Sequence, residues 1–108
     1  MIHLRLSSAP FLPFEIRRAF MQAPECSSDE QSLCREVLAR VILDALGYTG
    51  QGTEREHAQV IKEARDWFVN SQDMVTVFDL AGVEHSRVRM TVLGATPVPR
   101  GTRIKGGE

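Results

Sequence analysis

Apolar residues recur at helical spacing through most of this chain, broken by short polar stretches that carry capping residues. The clearest run is Leu33, Val37, Leu38, Val41, Ile42, Ala45 and Leu46, a stripe along one helix. Ser28-Asp29-Glu30-Gln31 stands before it as a capping box, in which the Ser28 hydroxyl and the Gln31 side chain each serve a free N–H of the first turn. Gly47 is placed to stop that helix. A second capping box, Thr53-Glu54-Arg55-Glu56, predicts a helix to about Val69, carrying Ala58, Ile61, Ala64, Arg65, Trp67 and Phe68. Trp67 and Phe68 together are expected to form the aromatic centre of the core. A shorter helix comes earlier. Pro13 suits its first position, because the missing N–H would have no partner there. Phe14, Ile16, Ala19 and Phe20 follow, and Pro24 ends the run after Gln22. At the amino terminus Ile2, Leu4 and Leu6 alternate with His3 and Arg5. That is the period of a short strand, which either pairs with its own copy in a dimer or serves as an extended arm.

The stretch from Met74 to Val92 predicts two short helices hinged at Gly82, the first ending at Ala81 and the second running from Glu84 or His85 to just before Gly94. Ser71 or Asp73 caps the first. Gly82 is expected at a positive φ, which costs a residue with a β-carbon roughly 1–2 kcal/mol. Val77, Ala81, Val83 and Val88 fall where two crossing helices share a small core. This is the pattern of a helix-turn-helix, here over 74–93, whose second helix can lie in the DNA major groove. On that reading His85, Ser86, Arg87 and Arg89 face bases or phosphates while Val88 points inward. Arginine is the expected reader of guanine, and Glu84 opposes phosphate unless it contacts cytosine.

Beyond Gly94 the sequence has two prolines and three glycines and cannot bury a core, so 95–108 is expected to be a flexible tail. Its cations, Arg100, Arg103 and Lys105, make it either a plain solvated end or a basic arm that touches phosphates. The net charge of −1 does not itself advertise a nucleic-acid binder. The distribution points further. From Met74 onward there are five basic residues (Arg87, Arg89, Arg100, Arg103, Lys105) against three acidic ones (Asp79, Glu84, Glu108), so this part is +2 and the remainder −3.

A chain of 108 residues with 43% hydrophobic and 25% charged content suits one domain, 1–94, with a modest core. No apolar run nears the roughly 20 residues of a membrane helix, and the start lacks the pattern of a signal peptide, so a cytoplasmic protein is expected. Cys26 and Cys34 then read as reduced thiols, and no Cys or His spacing suggests a metal. The loop Tyr48-Thr49-Gly50-Gln51-Gly52 lacks the Gly-Lys-Ser/Thr of a phosphate loop, so it reads as a connector and no cofactor is expected. His3, His57 and His85 sit in separate segments, with His57 read as a surface residue near Glu54 and Glu56. No nucleophile stands in pattern with them, so an enzyme is not expected.

The segment from Glu63 to Arg89, about a quarter of the chain, resembles a carboxy-terminal pattern of small proteins encoded by bacteriophages and prophages. Ala64, Trp67, Ser71, Ala81, Gly82, Val88 and Arg89 carry it: a helix ending in an aromatic residue, a polar break, then helix, Ala-Gly turn and helix ending in Val-Arg. The resemblance implies a phage or mobile-element origin and a bacterial host cell. The turn also looks like that of bacterial repressors. Two residues depart from it: Phe78 where those motifs have a small side chain, so that its ring is expected to push the helices apart, and Thr91 where they have an aliphatic one.

The expected fold is therefore all-α, with four or five short helices and a carboxy-terminal helix-turn-helix-like hairpin. The expected function is a small phage-type DNA-binding protein, a regulator or packaging factor, that reads double-stranded DNA as a homodimer or higher homo-oligomer because one copy spans only a short half-site. The rival is a phage-encoded factor that binds and inhibits or redirects a host protein. Near-neutral charge, Phe78 and the acidic residues Asp29, Glu30, Glu54 and Glu56 suit it.

Overall fold

The computed structural model describes residues 11–49 and 52–102, and within them the chain forms five helices and no strand. The expected strand at Ile2, Leu4 and Leu6 lies outside the described residues. α1 is Phe14–Gln22, α2 Asp29–Leu46, α3 Glu54–Asn70, α4 Asp73–Ala81 and α5 His85–Gly94. Their ends follow from local chemistry. Pro13 sits at the N-cap of α1, its carbonyl accepting from Ile16 and Arg17 N–H, and the helix stops at Ala23 before Pro24. Ser28 Oγ accepts from Gln31 N–H at 3.1 Å, as the capping box requires. The return bond is displaced by one residue: Gln31 Oε1 accepts from Ser27 N–H at 2.7 Å. Gly47 closes α2 at φ 89°, with its N–H on Asp44 and that of Tyr48 on Leu43. Thr53 Oγ1 accepts from Glu56 N–H at the start of α3. Ser71 Oγ accepts from Asp73 N–H at the start of α4.

α2 is the central helix. It packs most extensively on α4 and α3, while α5 leans mainly on α1 and closes the bundle against α3. Ile16, Leu38, Ile42, Phe68, Phe78, Val88 and Val92 are fully buried where these elements meet. The aromatic centre is Phe68 with Phe78, ring centroids 6.3 Å apart, rather than Trp67 with Phe68. Trp67 is half-buried at the rim, edge-on to Phe68 at 5.2 Å. Successive helical side chains point about 100° apart, and the phase of α3 turns Phe68 inward and leaves Trp67 at the rim. Phe78 packs against Phe68, and α4 packs more on α2 than on α5. Thr91 is half-buried, and the aliphatic contact expected there is made by Val92, one i,i+4 step from Val88.

None of the five helices has a basic residue in its last turn. Arginines from neighbouring helices supply the missing charge. Arg35 donates to Ala81 O at the end of α4 and to Pro24 O just past α1. Arg65 donates to Ala45 O in α2 and to Leu93 O and Ala95 O at the end of α5. Arg89 donates to Phe68 O in the last turn of α3 at 2.9 Å. Each guanidinium meets the negative end of a helix dipole and carbonyls that lack an intrahelical donor.

The segment after α5 was expected to be free. Its described part, 95–102, instead runs back over the bundle. Val98 N–H donates to Leu46 O at 2.9 Å, and Val98 O lies 3.1 Å from His57 Nε2. His57, expected at the surface, is covered by this segment and only 6% exposed. Its Nδ1 is buried without a partner. Residues 103–108, with Arg103 and Lys105, lie outside the described residues.

Candidate nucleic-acid interface

The site is built outward from the turn between α4 and α5. Gly82 adopts φ 73°, which lets its N–H reach Asp79 O and that of Val83 reach Phe78 O. Ala81 and Val83 on either side are buried, and Val77 is half-buried. α2 holds the turn from outside. Arg35 Nε is 2.7 Å from Ala81 O, and a β-carbon on Gly82 would lie 2.9 Å from Gln31 Nε2. Gly82→Val is therefore expected to destabilise the protein by about 2–3 kcal/mol through backbone strain and crowding. A fall of that size in the unfolding free energy from urea denaturation, with a milder loss for Gly82→Asn, checks it. An unchanged unfolding free energy for Gly82→Val would contradict the left-handed turn.

Glu84 begins α5. Its Oε1 accepts from Ser86 N–H at 2.7 Å and its Oε2 from Arg87 N–H at 3.1 Å. Burial alone pushes this carboxyl up, but the Arg87 and Ser86 hydrogen bonds, helped by His85, outweigh it and hold the group below the usual carboxylate range. A negative charge therefore stands at the positive end of α5 throughout the neutral range.

α5 buries Val88 and Val92 and turns Ser86, Arg87, Met90 and Gly94 outward. Of the residues expected to face DNA, Ser86 and Arg87 share this surface. Arg87 Nη1 is engaged at 2.9 Å by Glu15 Oε2 of α1, with both side chains largely solvent-exposed. His85 is half-buried, its ring edge-on to Phe78 at 6.2 Å. Arg89 is also half-buried, because its guanidinium is drawn to the end of α3. Arg100 pairs with Glu54 at 2.9 Å, at the opposite end of α3 from Phe68. Glu54 and Phe68 are 14 residues apart in one helix, roughly 20 Å at 1.5 Å per residue, so Arg100 stands well away from Arg89.

Sequence reasoning missed two residues here. Met90, 73% exposed, is the most prominent apolar side chain of α5. Arg18 of α1 lies across from Arg87 on a groove of about 420 Å³ between α1 and the turn. The pair Arg17-Arg18 is visible in the sequence, but the packing of α1 on α5 is long-range and leaves no local signature.

Cys26 is exposed and Cys34 half-buried, both as free thiols. Among the described residues no group of three His, Cys, Asp or Glu side chains is placed to hold a metal ion, and no helix is long and apolar enough to cross a membrane. No family model, curated protein or solved structure matches the chain.

Proposed function

We propose that this chain is a small DNA-binding protein of the phage type, a regulator or packaging factor, that lays α5 in the major groove of double-stranded DNA. The observation that carries the reading is the left-handed turn at Gly82, which joins two short helices so that α5 buries Val88 and Val92 and presents Ser86, Arg87 and Met90 together. Each of those three has a matching base-edge chemistry. A guanidinium suits the O6 and N7 of guanine, a hydroxyl serves donors or acceptors, and a thioether packs on the thymine methyl. His85 and Arg89 leave the reading set, because each is engaged inside the bundle. Arg100 leaves it because it is paired at the far end of α3. A single α5 covers a short half-site, so the working unit is a homodimer or higher homo-oligomer on this reading.

Anisotropy titrations of labelled duplex at several salt concentrations test it. The unmodified protein should bind at low salt and weaken as salt rises. Arg87→Ala should lower affinity, with a loss of roughly 1–3 kcal/mol of discrimination at one base position if it reads guanine. Absence of duplex binding by the unmodified protein at low salt rejects the proposal.

One observation favours the second reading, a factor that binds a host protein. The outward face of α5 combines a 73% exposed methionine with an arginine already neutralised by Glu15 and a carboxylate at the helix start. Exposed methionine is a common anchor in protein recognition. A stoichiometric host protein that co-purifies after nuclease treatment and is lost with Met90→Asp would support it.

A further inference from the structure

The groove between α1 and the α4–α5 turn is lined by Glu15, Arg18 and Gln22 on one side and Gly82, Glu84 and Arg87 on the other. Its charges are not equivalent. Both Glu84 oxygens are held by the first N–H groups of α5. Glu15 Oε2 is held by Arg87. Arg18 has no hydrogen bond or ion pair among the described residues, so of the four charged side chains on the groove it is the one without a partner. A planar fork of N–H donors left unpaired beside a presented helix suits a tetrahedral oxyanion, which it meets in bidentate fashion.

We infer that this groove seats a backbone phosphate of the duplex that α5 enters, with Arg18 as the contact, and that Glu15 holds Arg87 in place until DNA displaces it. The inference rests on the DNA-binding reading and adds to it the element that fixes register. Contacts to phosphate position a reading helix without carrying sequence information, and a helix beside it that meets the backbone is the usual source. α1 occupies that place here, since it packs on α5 and carries Arg18 one turn from Glu15. The Arg87–Glu15 pair can yield, because both partners are largely exposed (63% and 42%) and surface pairs of this kind are weak. Glu15 then competes with DNA for Arg87, and neutralising it should strengthen binding.

The test uses the full chain, a labelled duplex and a series of salt concentrations, comparing the unmodified protein with Arg18→Ala and Glu15→Gln. Both substitutions are on the groove surface, and unchanged thermal melts verify the fold. Arg18→Ala should weaken binding by roughly five- to tenfold near 0.1 M salt and reduce the slope of log K against log salt by about 0.9, one phosphate contact. The loss should be the same on every duplex sequence, unlike that of Arg87→Ala. Glu15→Gln should tighten binding. If the unmodified protein binds DNA and Arg18→Ala binds with the same affinity and slope, the phosphate seat is overturned and the DNA-binding reading stands. If Arg18→Ala weakens binding but Glu15→Gln does not tighten it, the competition of Glu15 for Arg87 is overturned. If the unmodified protein binds no duplex at low salt, both readings fall together.

Discussion

Phe68→Ala is expected to destabilise the protein by about 3–5 kcal/mol, the usual loss for removing a fully buried ring. Domains of this size have about 5–15 kcal/mol in total, so the variant approaches the limit of folding. Phe68 is the pivot of the aromatic centre. Its ring lies against Trp67 at 5.2 Å and Phe78 at 6.3 Å, and no solvent reaches it. Alanine leaves a void that α3 and α4 can close only by shifting together, and the close packing of the core resists that. The backbone carbonyl of residue 68 still accepts from Arg89, so the loss is one of packing rather than of the helix end. Urea denaturation gives the value, and Trp67→Ala is the internal reference. A rim residue retains water contact in the native state, so its truncation should cost clearly less. Equal losses at the two positions would return Trp67 to the centre of the core.

That contrast also marks how far the sequence could be read. Most helix ends were legible because they are decided within a few residues: Ser28 with Gln31, Thr53 with Glu56, Gly47 and Gly82 in left-handed turns. The start of α4 was not, since its N-cap is Gln72 rather than Ser71 or Asp73. The period of α2 placed Leu38, Ile42, Ala45 and Leu46 correctly in the core. Leu33 and Val37 of the same run are exposed, however, Val41 is half-buried, and Leu43, outside the run, is buried. Adjacent aromatics were harder, because pattern alone does not say which of Trp67 and Phe68 faces inward once the helix phase is set by neighbours. The segment 95–102 has the composition of a free tail, yet it is tied down by Leu46, His57 and Arg65, which are distant in sequence.

Charge was the least transparent property. Counting cations from Met74 onward treats Arg87, Arg89 and Arg100 as one positive end. In three dimensions Arg89 serves α3, Arg100 serves Glu54, and Arg87 serves Glu15 on a groove that it shares with Arg18 of α1. The candidate interface therefore draws on an arginine near the other end of the chain. Nothing in the local sequence distinguishes Arg89, which closes a helix, from Arg87, which meets solvent, because each sits one residue from the buried Val88. The distinction comes from which carbonyl ends lie within reach.

Arg65 makes that rule measurable. Its three donors reach Ala45 O at 3.2 Å, Leu93 O at 3.2 Å and Ala95 O at 2.6 Å, so one side chain ties α2, α5 and the returning segment to α3. Arg65→Ala should cost about 2–4 kcal/mol. A charge-assisted bond contributes roughly 1.5–3 kcal/mol, and carbonyls left without donors add a penalty that entering water relieves. Arg65→Lys should recover only a small part, since one ammonium cannot span three carbonyls that a planar fork reaches at once. The loss should also be uneven in space. Ala95 is held at its carbonyl by Arg65, and the next anchor is the Val98 N–H on Leu46 O. Releasing the first anchor should free the second, so the Val98 amide should exchange faster with solvent in Arg65→Ala than global unfolding explains. The amides of α2 beside Leu38 and Ile42 should exchange only at the globally destabilised rate. If the Val98 amide keeps pace with those core amides in the variant, the segment is held by its own contacts, and Arg65 acts on the bundle as a whole.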